Sequence, residues 1–459
     1  MRVATGFVLC ALACACGDSG TSNDGGADAS SDAASDGGGQ DVTEAGPSCG
    51  SGAWLTYGHD GARTFASDGC VQGPLTVAWS YSPAPPASAT VNAVHHALAA
   101  SDAVYLQWAA SDGPYIGTTA ADKVSTTGTR VWTFDSGSDA NMGDWASVSG
   151  SNLVIDADGV YFVPLADGKM TVTTGVDWWG QTIADTAGGV WFADTSKSDG
   201  PGLFVGELDV TAKTLWQGNK QGTNCGDSLG DVMGGIALDG GTLFYAPSYT
   251  AGGSVQPTFT SGLYAFDAAA GTPKWNVQTT PTSTISAGNG LIYLIEAGAV
   301  VARKESDGSV DWTQPLAGAG AQAPVLADGL AIAAGNAGVS AFDAKTGKPA
   351  WSTALTGAAA RAYTLTLTNG CGGSQNLGAA IATTMAAAVP SDTLVVTASD
   401  GVHVLSLATG ADTWTGKVTG AKNVVHDPVI VGKTVYVVDS PPASIGGFGP
   451  GQLIALTGK

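Results

Sequence analysis

The sequence predicts an all-β chain: an eight-bladed β-propeller whose blades dock through tryptophans and whose ring is closed by its own N-terminal strand. Three observations predict it. The composition is rich in turn formers and poor in charge, with 67 glycines and 12% charged residues among 459, which suits short strands joined by turns. A Gly-x-x-x-Trp step recurs along the chain, and a short run of β-branched and aromatic residues precedes each copy. Finally, the fragment missing from the last repeat is the one left over before the first.

In chain order, residues 1–16 read as an export signal. Arg2 precedes an apolar run from Val3 to Ala15, broken by Thr5 and Gly6, which is too short to span a bilayer and ends in small residues. The stretch Leu12-Ala13-Cys14-Ala15-Cys16 resembles a bacterial lipobox, in which the cysteine becomes the lipidated first residue. Cys16 is the expected lipidation site and Cys14 the alternative register. Residues 17–48 hold six Asp, one Glu and no Lys, Arg or aromatic residue. Such a segment buries too little apolar surface to offset its ordering entropy, so it is expected to be a disordered tether with a span of roughly 30 Å. The folded domain then covers 49–459. Its cysteines, Cys49, Cys70, Cys225 and Cys371, are an even number in an exported chain and predict two disulfides. Cys49 with Cys70 closes a short loop at the domain entrance; Cys225 and Cys371 sit in long insertions and are the second expected pair.

Within the domain, one segment appears almost verbatim twice, Ala265-Phe-Asp267 to Gly271 and Trp275, and Ala341-Phe-Asp343 to Gly347 and Trp351. The same step recurs as Gly128/Trp132, Gly175/Trp179, Gly308/Trp312 and Gly410/Trp414, with Ala212 replacing the glycine before Trp216. Short strand-like runs such as Val104-Tyr-Leu, Val160-Tyr-Phe and Ile292-Tyr-Leu precede the seven tryptophans, and an eighth run, Val435-Tyr-Val-Val438, follows Trp414. Leu453 to Gly458 then ends without a tryptophan, whereas Trp79 closes Leu75-Thr-Val-Ala-Trp79 with no run before it. Joining these two ends makes a ring of eight four-stranded sheets and removes the exposed edges of an open array. The glycine supplies a positive φ for a tight turn, and the tryptophan a broad surface for the neighbouring blade. The expected docking residues are Trp79, Trp132, Trp179, Trp216, Trp275, Trp312, Trp351 and Trp414.

The pattern Ala-x-Asp-x-x-Thr-Gly-x-x-x-Trp, as it stands from Ala341 to Trp351, resembles the tryptophan-docking motif of the quinoprotein-dehydrogenase-like propellers. The stretch from Trp54 through Tyr57, Gly58, His59, Asp60 and Arg63 to Thr64 is similar to that family's opening segment. The resemblance covers residues 54–459. The family contains pyrroloquinoline-quinone (PQQ) alcohol dehydrogenases and the lipoprotein of the bacterial β-barrel assembly machinery. For the dehydrogenases it implies a quinone on the propeller axis over a tryptophan floor, a Ca²⁺, an aspartate base and often a disulfide between adjacent cysteines. No two cysteines of the mature domain are adjacent here and no haem-attachment motif occurs. No Glu, Asn or Asp is therefore assigned to a Ca²⁺ site.

Other chemistry is thinly signalled. Eighteen Lys+Arg against 39 Asp+Glu, a net charge of −21, argue against nucleic-acid binding and adhesion to anionic membranes. The chain has no nucleophile elbow, zinc spacing or phosphate loop. One polar constellation stands out: Asn92-Ala-Val-His95-His96 and Asn423-Val-Val-His426-Asp427 occupy the same place in the first and last repeats. Ring closure makes those blades neighbours, so His95 and His426 are candidate metal or ligand residues near the channel, with His96 and Asp427 close by; a backbone-bonding role is the alternative. Trp108, Trp145 and Trp178 lie outside the docking positions and are candidates for stacking on a sugar. The expected function is a lipid-anchored propeller of the bacterial cell envelope, at the outer membrane or cell surface. It binds an envelope protein, a peptide or a polysaccharide and performs no chemistry, with no cofactor. A PQQ- and calcium-dependent oxidoreductase and a carbohydrate-binding propeller are the alternatives.

Overall fold

The computed structural model describes residues 48–50, 52–85, 90–111, 118–136, 146–157, 159–173, 180–184, 188–194, 204–209, 211, 213–218, 232–233, 235–249, 261–318, 320, 322–355, 361–368, 374–381, 383–418, 424–440 and 451–458. Residues 47–459 form one compact unit. Eight antiparallel sheets of four strands follow one another around the channel, joined by one short parallel strand of the N-terminal segment. Their innermost strands are Thr90–Ala99, Ser147–Ser149, Gly180–Ala184, Ile236–Asp239, Ser286–Gly288, Val325–Ala327, Thr384–Ala388 and Val424–Val431, which define blades 1 to 8. Ring closure is as expected. Thr76–Tyr81 pairs antiparallel with Gln452–Thr457, with Thr76 opposite Thr457 and Tyr81 opposite Leu453, so the fourth strand of blade 8 comes from the start of the domain.

Docking works through glycine turns. The Thr346 amide and hydroxyl both donate to Asp343 Oδ1, at 2.8 and 2.7 Å, which fixes the turn that brings Gly347 to φ 69°. A Cβ at Gly347 would lie 2.6 Å from the Trp312 ring of the preceding blade, so the missing side chain is what lets the indole lie flat on the turn. The Trp312 indole N–H then donates to Ala344 O at 2.9 Å. Trp79, Trp132, Trp216, Trp275 and Trp351 repeat the bond onto the carbonyls of Thr126, Leu165, Ala268, Glu305 and Leu407. Trp414 packs instead on Gly73, just before the ring-closing strand.

Blade 2 departs from the expected spacing. The glycine that receives Trp132 is Gly168, at φ 69°, and four residues later Val172 pairs with Phe162, in the register in which Trp275 pairs with Ala265. The docking turn of this blade is thus built at Gly168, because Trp132 requires a left-handed glycine there. Gly175 and Trp179 lie outside the described residues.

The closing seam carries a buried polar lock. Asp122 of blade 1, with no exposed surface, accepts from Tyr81 of the ring-closing strand at 2.7 Å and from Thr133 at 2.6 Å. Burial pushes the Asp122 carboxyl up while these donors pull it back; burial and Asp122 together keep Tyr81 protonated.

The segment from Trp54 to Cys70 forms a strap around one end of the channel. Its carbonyls accept from the inner strands in turn: Leu55 from Val148, Gly61 from Leu238, Ala62 from Ala287, Thr64 from Leu326 and Phe65 from Ala387, all at 2.6–2.8 Å. Trp54 exchanges two bonds with Ala99, and the Cys70 amide donates to Gly432 O. The strap therefore touches blades 1, 2, 4, 5, 6, 7 and 8 through its backbone. It holds His59, Arg63 and Phe65 at positive φ, a conformation costing about 1–3 kcal/mol each that persists only where the surroundings over-determine it. A disulfide joins Cys49 to Cys70, so strap and bridge make a closed loop concentric with the propeller. Replacing both cysteines by serine is expected to cost about 3 kcal/mol by loop-closure entropy, read as a lower denaturation midpoint. A change below about 1 kcal/mol would mean that the strap stays ordered without the bridge.

Candidate functional site

The two ends of the channel differ. At the strap end, adjacent strands of a blade are joined by tight turns such as Gly240-Gly241, Asn289-Gly290 and Asp328-Gly329. An antiparallel four-stranded blade returns the chain to the other end for its second-to-third and blade-to-blade connections, and every long connection leaves from there. These include 136–146, 219–235, 246–261, 355–383 and 441–451. Two β ribbons stand among them: Arg361–Thr368 paired along its length with Ser374–Ile381, and Val232–Met233 paired with Ser248–Tyr249. The insertions expected to carry Cys225 and Cys371 both start from this open end; the two cysteines themselves lie outside the described residues, as do Cys16 and the tether.

Between the strap and the open end lies an axial pocket, lined by Trp54, Tyr57 and Phe65 of the strap and by His96, Met385 and Asp427 of the inner strands. His96 and Asp427 reach it through bulges. In blade 1 the ladder shifts between Val94 and Ala97, and in blade 8 between His426 and Val429. Such irregularities re-aim side chains that a regular alternation would send elsewhere. The result is a side-chain contact across the closing seam, His96 Nδ1 to Asp427 Oδ2 at 2.7 Å, with both side chains 14% exposed. Thr384 Oγ1 of blade 7 accepts from the Asp427 amide at 2.8 Å. Gln322 clamps blades 6 and 7 by donating to Met385 O at 2.8 Å and accepting from its amide at 2.7 Å. Tyr57 packs edge-on to His96, with ring centroids 5.6 Å apart, and carries the Arg63 guanidinium over its ring at 5.3 Å. Burial pulls that guanidinium down to about 9, against the opposing pull of Tyr57 and Asp60.

Repeat alignment thus points to this pair of strands, and of the four residues it singles out, His96 and Asp427 are the two whose described side chains meet. His95 and His426 lie on adjacent inner strands, and their side chains lie outside the described residues. Among the described residues no group of three His, Cys, Asp or Glu is placed to hold a metal ion. Trp108 is fully buried in blade 1, with no exposed surface. It is a packing residue and not a surface for a sugar. Trp145 and Trp178 lie outside the described residues. His403, which the motif search passes over, is buried in blade 7 with Nδ1 2.8 Å from Asp412 and Nε2 3.0 Å from Asp400. It braces the turn at Asp400 to the outer strand and faces no cavity described above.

Residues 260–373, about a quarter of the chain, match the PQQ-repeat family model described as outer membrane protein assembly factor BamB. The match takes in blades 5 and 6, the two most regular. Among solved structures the chain resembles quinohemoprotein alcohol dehydrogenase from Comamonas testosteroni, with 14% identity, 88% of this chain and 80% of that one covered, and a TM-score of 0.58. The chain has the fold of the PQQ-repeat propellers. The computationally designed Ika8 protein is a further likeness to this propeller, at 13% identity, 82% and 98% coverage and a TM-score of 0.54. BamB from Moraxella catarrhalis aligns at 14% identity over 84% and 98%, with a TM-score of 0.49. No curated protein sequence matches this propeller.

The fold family implies a quinone and calcium for its dehydrogenase members. Among the described residues of this chain, the carboxylate lining the axial pocket is Asp427, which His96 already engages. The disulfide joins the two ends of the strap. That donor set does not make up a quinone-bound calcium centre, and no step of a quinone reaction is assigned to these residues.

Proposed function

We propose that this chain is a lipid-anchored propeller of the bacterial cell envelope that binds a protein partner on its open end and performs no chemistry. The observation that carries the reading is the asymmetry of the channel: the strap and tight turns occupy one end, and every long connection leaves from the other. Loops held on a rigid scaffold are where binding residues concentrate. The tether, Cys16 as its lipid anchor (Cys14 in the alternative register) and a Cys225–Cys371 bridge between two open-end connections belong to the same proposal. The family model matching blades 5 and 6 bears the name of an outer membrane assembly factor, which supports the envelope setting and a protein partner over a peptide or polysaccharide.

The test is crosslinking in intact cells of the full chain against a variant in which residues 361–381 are replaced by a short Gly-Ser turn. The variant is expected to keep its unfolding midpoint and to lose at least about tenfold of its crosslinked product, as loss of a binding hot spot does. Equal crosslinking by both chains would place the partner elsewhere. Fatty-acid labelling of the same strains, lost on Cys16→Ser, reads the anchor. Stoichiometric uptake of PQQ by the calcium-supplemented protein would overturn the non-catalytic reading.

A further inference from the structure

The propeller blunts the outer edges of its blades. In seven of them the outermost strand carries one extra residue just before its docking tryptophan, such as Val131 before Trp132 and Asp311 before Trp312, where the ladder to the next strand shifts register. In blade 2 that strand is two residues long, Val172–Thr173. Three of the outermost strands also contain a proline, Pro273, Pro315 or Pro349. Bulges, prolines and short edges spoil the free backbone that another strand would need.

The open-end ribbon has none of these devices. Arg361–Thr368 and Ser374–Ile381 pair at eight consecutive positions, from Arg361 with Ile381 to Thr368 with Ser374, and the register never shifts. Residues 361–381 hold no proline and, after Arg361, no charged residue. Among the described residues the ribbon is a sheet of two strands, so each strand has one edge without a ladder. A two-stranded ribbon is marginal in water, and a third strand is what makes such a sheet stable.

We propose that the free edge of Arg361–Thr368 is a strand-addition site, which rests on the open-end binding surface proposed above, and that an extended segment of the protein partner becomes its third strand. Backbone N–H and C=O groups along an edge select an extended chain and not a helix. Arg361–Thr368 is the better template of the two. It is built of Thr, Leu and Tyr around one alanine, whereas Ser374–Ile381 contains Asn376, Gly378 and two alanines, which strands disfavour. Successive residues of a strand alternate between the faces of its sheet, and cross-strand partners share a face. The register therefore puts Tyr363, Leu365 and Leu377 on one face and Thr364, Thr366 and Asn376 on the other. An added strand continues both faces, so the partner segment alternates apolar with hydroxyl or small polar residues. Charge decides between a partner and a second copy. Two chains of net charge −21 repel, and complementarity calls for Lys or Arg flanking the incoming strand.

Photocrosslinking of the full chain in intact cells tests the site. p-Benzoylphenylalanine replaces one residue at a time: Thr364, Leu365, Thr366 and Leu367 on the proposed edge, Asn376 and Leu377 on the other strand, and Ser254 in a separate open-end connection. The ribbon lies outside the eight blades, and the unfolding midpoint of each variant checks that the propeller is intact. A strand added along one edge is reached from both of its faces, while the other strand of the ribbon lies about 5 Å further away. All four edge positions are therefore expected to give the same product, at least about tenfold above Asn376 and Leu377. Mass spectrometry of that product is expected to read an alternating segment flanked by Lys or Arg. Product from Leu365, Leu367 and Leu377 alone would mean docking on a face, and product of twice the chain's mass would mean a second copy; either overturns the proposal. Product from Ser254 with none from the ribbon overturns it and leaves the open end as the binding end. Failure at every position, Ser254 included, overturns the open-end reading as well.

Discussion

Deleting Leu453 to Lys459 is expected to abolish cooperative folding of the whole domain, not to fray one edge. The strand Gln452–Thr457 lies between Thr434–Ser440 and Thr76–Tyr81 in blade 8 and pairs with both. Leu453, Ile454, Ala455 and Leu456 are at most 1% exposed. Removing three large apolar side chains and an alanine forfeits roughly 6 kcal/mol of burial. That is already comparable with the stability of a typical domain, about 5–15 kcal/mol. The deletion also releases Thr76–Tyr81, and with it the Tyr81–Asp122 bond and the Trp79 dock onto blade 1. The measurement is denaturant unfolding followed by tryptophan fluorescence. A truncated chain that retains the parent midpoint would show that closure contributes nothing to stability.

Trp312→Ala is expected to cost about 3–5 kcal/mol, as a buried large-to-small change, with the orphaned Ala344 carbonyl contributing to that loss. The indole is 7% exposed, sits between Tyr293 and Phe342 with centroids 6.0 and 6.2 Å away, and covers Gly347. Trp312→Phe keeps most of the apolar area and loses the N–H, so it should cost about 1–2 kcal/mol. The complementary variant, Gly347→Ala, places a methyl 2.6 Å from the ring on a left-handed turn. It should destabilise the parent by more than it destabilises the Trp312→Ala background, where only the strain of an alanine on a left-handed turn remains. Additive losses from the two changes would mean that the glycine serves its turn alone and not the dock.

Much of the ring is written in local chemistry. Asp343, Thr346 and Gly347 specify a turn through bonds spanning only a few residues, and the tryptophan four positions on repeats with it. A periodic sequence therefore displays the blades and the missing strand that closes them. The exception is instructive. Gly175/Trp179 has the right spacing, yet the dock of blade 2 is built at Gly168, because what Trp132 selects is a left-handed turn in space and not a spacing in text.

The sequence by itself determined the number of blades, the docking chemistry of most of them and the strand that closes the ring, because these rest on contacts between neighbouring strands and turns that every repeat restates. Tertiary structure decided that the strap crosses one end and that His96 meets Asp427. Those meetings join residues from different blades, and bulges in the inner strands and the path of the strap set them. A register shift re-aims a side chain, and no pattern of residue types records where the backbone will yield.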